Sequence, residues 1–154
     1  MTIEIRNYEG DGKELADFIG RAWRKNYEGQ IWFPLWDQNY FSWRLLDEPL
    51  EAKEFLISAY QGTRLVGCLL AEPVDLEVRG KNVRGTLSSW LSVDPEIRAP
   101  GLAMRLVKAL RQRHLEKEIA LSLGFTSSDP DSPSRRFWDI FAKRHPEDFR
   151  VLHS

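Results

Sequence analysis

Residues 83–115 read VRGTLSSWLSVDPEIRAPGLAMRLVKALRQRHL, and this stretch decides the fold. Val83, Gly85, Leu87, Ser89, Leu91 and Val93 share one face of a strand by period two. Arg84, Thr86, Ser88, Trp90 and Ser92 share the other. The first face is mostly apolar and is expected to pack on a helix. Asp94-Pro95 stops the strand, because proline has no amide for the ladder. After Glu96, Ile97, Arg98, Ala99 and Pro100, the residues Leu102, Ala103, Leu106, Val107, Leu110 and Leu115 recur at helical spacing. Arg105, Lys108, Arg111 and Glu116 lie between them. Gly101 falls where the backbone must come close to something. A strand, a loop with glycine near its end and a helix form a place to hold a phosphate. The first helical amides have no intrahelical partner, and the positive end of the helix dipole lies there.

Length and composition bound the rest. A chain of 154 residues suits a single domain, 1–154, with a substantial core. It is 42% hydrophobic and 29% charged, which is ordinary for a soluble globular protein. The formal net charge of −1 gives no reason to expect nucleic acid or an anionic membrane as partner. One cysteine, Cys68, excludes an internal disulfide, and no spacing suggests a metal site. The start, MTIEIRNYEGDG, is charged and lacks the apolar core of a signal peptide. No apolar run approaches the ~18 residues that a membrane span needs. A cytoplasmic protein is expected. There is no internal repeat and no low-complexity tract.

Outward from the central stretch, alternation predicts a first strand at Ile3 and Ile5, followed by a turn at Gly10-Asp11-Gly12. Leu15, Ala16, Phe18, Ile19, Ala22 and Trp23 predict an amphipathic helix from Lys13 to near Asn26. Trp32, Phe33, Trp36, Tyr40, Phe41 and Trp43 put six aromatics in twelve residues. They read first as core, and otherwise as a pocket wall or an interface. Asp37 is placed to cap a helix running to Leu46. Residues 55–60 and 65–77 form a hairpin around Gln61-Gly62-Thr63-Arg64, and Arg79-Gly80-Lys81-Asn82 turns the chain back. Strands one to four therefore make an antiparallel meander. Residues 119–125 form a fifth strand, parallel to the fourth through a right-handed helical crossover. A ligand is expected beyond the carboxyl ends of that parallel pair. Ser132 or Asp131 caps a last helix, Pro133 suits its first turn, and Phe137, Trp138 and Phe141 give its apolar stripe.

Arg98-x-x-Gly101-x-Ala103, led in by Val93 five residues earlier, resembles the acyl-CoA pyrophosphate loop of the GNAT N-acyltransferases. Arg64-Leu65-Val66-Gly67 resembles the family's third-strand start. The likeness covers about residues 55–142, and the ends by position. It implies an α/β fold with a GNAT-like mixed central sheet and helices on both faces. It also implies acetyl-CoA or another acyl-CoA as cosubstrate. Arg98, Ala99, Pro100, Gly101, Leu102 and Ala103 would then hold the pyrophosphate, and Leu91, Ser92 and Val93 would pair with the pantetheine arm through their backbone. On the last helix Asp131 takes the family's asparagine place, Ser134 its alanine place and Trp138 its tyrosine place. The stretch Tyr40-Phe41-Ser42-Trp43-Arg44 with Asp47-Glu48-Pro49 resembles a segment of longer GNAT-type proteins that have a second domain, which leaves room for a larger architecture.

Acyl transfer to an amine needs a held donor, a polarised carbonyl and a proton acceptor. The family often has a glutamate where this chain has Leu87, which cannot accept a proton, and Trp138 is no useful acid in the tyrosine's place. Pro100 deletes an amide from the loop. Glu72, Asp75 and Glu77 are the substitute bases to weigh, each more often solvated on a strand. His114, His145, His153 and Cys68 have little to mark them as catalytic, and Arg135-Arg136 either face the nucleotide phosphates or solvent. The catalytic residues are thus unassigned. The leading expectation is N-acyl transfer from acyl-CoA to a small-molecule or peptide amine by direct attack, with a homodimer compatible. The alternatives are a non-catalytic CoA-binding or structural module, and an interaction domain using the 32–43 aromatic surface.

Overall fold

The computed structural model describes residues 2–152. It comprises two compact units, one ending at Leu123 and one beginning at Gly124. The first unit holds a five-stranded sheet in the order β1-β2-β3-β4-β5. Its strands are β1 (Ile3–Asn7), β2 (Leu56–Gln61), β3 (Arg64–Val78), β4 (Lys81–Val93) and β5 (Leu121–Gly124). β1 to β4 pair antiparallel with their neighbours. β5 runs parallel to β4. Ala120 N donates to Arg84 O at 3.0 Å, Thr86 Oγ1 to Ser122 Oγ at 2.8 Å, and Ser88 Oγ to Leu123 O at 3.2 Å, both chains ascending. This is the expected sheet, although β5 is only four residues long where seven were expected.

Helices cover both faces. α1 (Gly12–Tyr27) begins at Asp11, whose carboxylate accepts Glu14 N at 2.9 Å, and it buries Leu15, Phe18, Ile19 and Ala22. These pack with Phe41, Leu56, Cys68 and Leu70 on one side of the sheet. On the other side α4 (Leu102–Glu116) buries Leu102, Leu106, Val107 and Leu110. There Gly67 lets the helix come close. A Cβ at that position would lie 3.2 Å from Leu106 and 3.3 Å from Leu102. Burying each such leucine contributes about 1.5–3 kcal/mol.

The segment between α1 and β2 departs from expectation. Asp37 does cap, accepting Tyr40 N at 2.8 Å, but α2 is only Gln38–Phe41. It widens into a π-helical turn, Ser42–Leu46, and a short α3 (Leu50–Lys53) follows. The wide turn sets both Phe41 and Leu45 in the core while Arg44 reaches Glu72. The aromatics divide. Phe41 is buried, and Phe33, Trp36 and Tyr40 are half-buried, but Trp32 is fully exposed and Trp43 is 65% exposed. The expectation that all six form core is therefore corrected for these two.

In the second unit α5 (Pro133–Arg144) starts as anticipated, with Ser132 Oγ accepting Arg135 N at 3.1 Å and Pro133 in its first turn. Phe141 is buried among Phe137, Trp138, His145 and Phe149.

Candidate functional site

The centre of the site is a bulge in β4. Cys68 pairs with Ser92 and Leu70 with Ser89, so two steps along β3 match three along β4. The extra residue lies at Trp90, whose φ is 55°, an unusual value for a bulky side chain. The bulge reverses the strand's phase. Thr86 faces α4, where its hydroxyl lies 2.9 Å from His114 Nε2. Beyond the bulge Trp90 and Ser92 face the α1 side instead. Trp90 meets Phe41 and Trp36, and Ser92 Oγ accepts Trp23 Nε1 at 2.9 Å. The single alternating pattern read from the sequence is thus wrong past Ser89, because one inserted residue shifts every later side chain to the opposite face. β5's pairing reaches Ser88, and β4 runs on to Val93. Leu91, Ser92 and Val93 lie on that overhanging end.

Next comes the loop. Asp94 is fully buried and holds it at its start. Its Oδ2 accepts Arg21 Nη2 at 3.0 Å and Arg64 Nη2 at 2.7 Å, and its Oδ1 accepts Glu96 N at 2.9 Å. Sequence reasoning saw in Asp94 only a strand end. At the far end Gly101 has φ 77°, and a Cβ there would meet nothing within 4 Å. A left-handed residue on open space is where glycine is needed. No side chain caps α4, and its first intrahelical bond runs from Arg105 N to Gly101 O at 3.0 Å. Leu102 N is already spent on Ala99 O at 3.1 Å, and the Leu102 side chain is buried. Among the described residues, Ala103 N and Met104 N have no partner in the chain. They are free donors at the start of the helix, so Met104 joins the residues read from the sequence. Arg98, Pro100 and Gly101 are exposed, and Ala99 and Ala103 are half-buried.

Glu72 is the carboxylate with the most unusual setting. It pairs in register with Leu87, on the face it shares with Cys68 and Leu70. Its side chain is only 17% exposed, so it is not the solvated strand carboxylate expected. Arg44 Nη2 donates to its Oε2 at 3.1 Å. Arg44 Nε lies 2.9 Å from Oε1 but is not aligned for a hydrogen bond, so the pair has one directed bond and one purely ionic contact. Burial raises the carboxyl's pKa above its ordinary value, Arg44 opposes the shift and Glu48 adds to it. A concavity of about 480 Å³ adjoins the pair, lined by Trp43, Glu48, Glu51, Ala71 and Arg84 among others.

On the α4 side His114, Thr86, Ser122 and Ser88 form one hydrogen-bonded chain with links of 2.9, 2.8 and 3.2 Å. Burial lowers the His114 pKa. Cys68 is fully buried, which pushes its thiol pKa up and leaves it unreactive. Three of the residues read from the sequence, Asp131, Ser134 and Trp138, belong to the second unit. Asp131 is exposed and pairs with Arg136 at 3.3 Å, Ser134 Oγ lies 2.9 Å from Thr126 Oγ1, and Trp138 is half-buried on α5. Arg135 is turned inward onto Asp139 at 3.0 Å and is not a solvent-facing cation. His153 lies outside the described residues. Among the described residues there is no group of side chains that could hold a metal ion and no helix long and apolar enough to cross a membrane.

A mixed sheet whose bulged fourth strand leads into an uncapped helix start matches the fold of solved N-acetyltransferases. Residues 5–137 match the family described as Acetyltransferase (GNAT) domain, and the chain belongs to the GNAT family. The family generally takes its acyl group from acyl-CoA. Similar folds include a ribosomal-protein-alanine N-acetyltransferase from Brucella melitensis biovar Abortus 2308, at 14% identity and TM-score 0.66, covering 100% of this chain and 96% of that one. An aminoglycoside acetyltransferase from an uncultured soil metagenomic sample, solved with sisomicin, has 18% identity and TM-score 0.66, covering 99% and 93%. Saccharomyces cerevisiae N-myristoyltransferase with bound myristoyl-CoA has 24% identity and TM-score 0.61, covering 79% of this chain and 30% of that one. No curated protein matches the sequence.

Proposed function

We propose that residues 1–154 act as one cytoplasmic GNAT domain that transfers an acetyl or other acyl group from acyl-CoA to the primary amine of a small molecule or peptide. The observation that carries this is the corner at Gly101, where uncapped amides of Ala103 and Met104 adjoin open space beside a left-handed glycine. Two backbone donors and the helix dipole suit a diphosphate. Arg98, Ala99 and Pro100 bring the chain to that corner, and Leu91, Ser92 and Val93 offer the backbone along which a pantetheine arm adds as a strand. Asp131, Ser134 and Trp138 keep a role in cofactor binding on resemblance alone.

The amine attacks directly. It first gives a proton, through water, to Glu72. Its nitrogen then bonds to the thioester carbon as the carbon–sulfur bond breaks, and the nitrogen's surplus proton passes to the thiolate. Glu72 is chosen because it faces the same side as Trp90 and its Oε1 accepts no aligned hydrogen bond. It stands opposite Leu87, three positions before the bulge, which is about 10 Å of strand. One water covers about half of that distance, so the proposed transfer runs through a relay of two or more waters. The absence of a base at Leu87 and of an acid at Trp138 favours a second reading, a CoA-binding module without turnover. Calorimetry with acetyl-CoA, followed by thiol release with a panel of amines, tests both. Binding with release supports the enzyme, binding without release supports the module, and no binding removes both.

A further inference from the structure

Five polar contacts converge on one residue at the junction of β4 and the loop. Besides Arg21, Arg64 and Glu96 N on its carboxylate, Asp94 donates its own amide to Val66 O at 2.9 Å and accepts Ile97 N at 3.3 Å. Arg64 also reaches Glu96 at 2.9 Å. The cations come from distant places, Arg21 from α1 and Arg64 from the start of β3, so one carboxylate ties both layers to the loop. Its side chain is 0% exposed, and each arginine is close to half-exposed. Beyond Ile97 the loop makes one further backbone bond, Leu102 N to Ala99 O. Its course to Gly101 is therefore fixed mainly at its two ends. A bare carboxylate is a poor neighbour for a site meant for a dianion, since like charges repel. Two guanidiniums remove that objection and make the buried charge rigid.

We propose that Asp94, clamped by Arg21 and Arg64, is the positioning residue for the diphosphate corner, setting residues 95–101 so that the Ala103 and Met104 amides stay free. This rests on the acyl-CoA reading above. It predicts a loss confined to ligands that carry the diphosphate. The test compares acetyl-CoA with acetyl-pantetheine, which has the same arm and thioester but no nucleotide. Binding is followed by calorimetry for the first and by amide chemical shifts for the second. Asp94→Asn and Arg64→Met should each weaken acetyl-CoA about tenfold or more, as a misplaced site does, and leave acetyl-pantetheine within about twofold. Equal weakening of both ligands, or none, overturns the proposal and reduces the cluster to fold stability. Should Asp94→Asn not fold, Arg64→Met, which keeps the Arg21 contact, decides in the same terms. Failure of the unaltered protein to bind acetyl-CoA would instead sink the acyl-CoA reading itself.

Discussion

The Trp23 indole donates to Ser92 Oγ at 2.9 Å, and Ser92 Oγ donates in turn to the Trp90 carbonyl at 3.0 Å. A helix side chain is thereby linked, through one hydroxyl, to the strained residue of the bulge. Cys68 Sγ approaches the same carbonyl at 3.3 Å. The strain at Trp90 persists because its surroundings over-determine it. Ser92→Ala breaks both links and strands the Trp23 N–H against the core. The expected cost is about 1–3 kcal/mol, read from urea unfolding. Trp23→Phe keeps an aromatic side chain against Tyr27, Phe33 and Trp36 and leaves Ser92's bond to Trp90, so it should cost less than Ser92→Ala. The reverse order would show that the indole's packing, not the hydroxyl link, holds the bulge.

Gly101 separates backbone strain from ligand repulsion. Its φ of 77° and the empty space beyond its Cα mean that alanine meets no clash but must adopt a left-handed conformation. Gly101→Ala should destabilise by about 1–2 kcal/mol. Gly101→Glu adds bulk and negative charge where a diphosphate would rest. Its acetyl-CoA affinity should fall at least about tenfold below that of Gly101→Ala, by calorimetry at one ionic strength. Equal affinities would place the nucleotide elsewhere.

The parts of the fold set by local chemistry were readable from the sequence. The period of residues 102–115, the Asp37 cap, the Ser132-Pro133 helix start and the hairpin turns each depend on residues a few positions apart. What escaped is long-range. Nothing near Trp90 announces a bulge, since no glycine marks it, and the register that creates it is set against β3. Asp94 meets Arg21 across 73 residues and Arg64 across 30, so composition gave no hint of that cluster. Trp32 and Phe41 are both aromatic, yet one is solvated and the other buried. Residue type alone does not encode exposure.

His114 links stability to pH. Burial lowers its pKa in the folded chain, so between the folded and unfolded values the unfolded chain binds more protons. The neutral ring's contribution is complete above the unfolded value of about 6.5 and is lost as pH falls through it toward the folded pKa. Unfolding free energy should therefore drop on acidification below that point. His114→Gln keeps an amide to meet Thr86 and removes the titration, so its slope over the same range should be flatter. An unchanged slope would transfer the effect to other groups.

Glu72 carries the proposed proton transfer, and its neighbours set the pH at which it can work. Burial holds its pKa up, Arg44 on the π-helical turn pulls it down, and Glu48 raises it. Glu51 and Arg84 also line the adjoining concavity. With an accepted amine, Glu72→Gln should lower kcat about 100-fold and abolish the acid limb of the rate profile, while acetyl-CoA affinity stays as it was. Arg44→Met removes the one influence that lowers the pKa. Glu72 then becomes a base only at higher pH, and the acid limb moves to higher pH rather than disappearing. That displacement distinguishes a titrating base from a merely structural ion pair, for which both substitutions would reduce thermal stability and leave the limb in place.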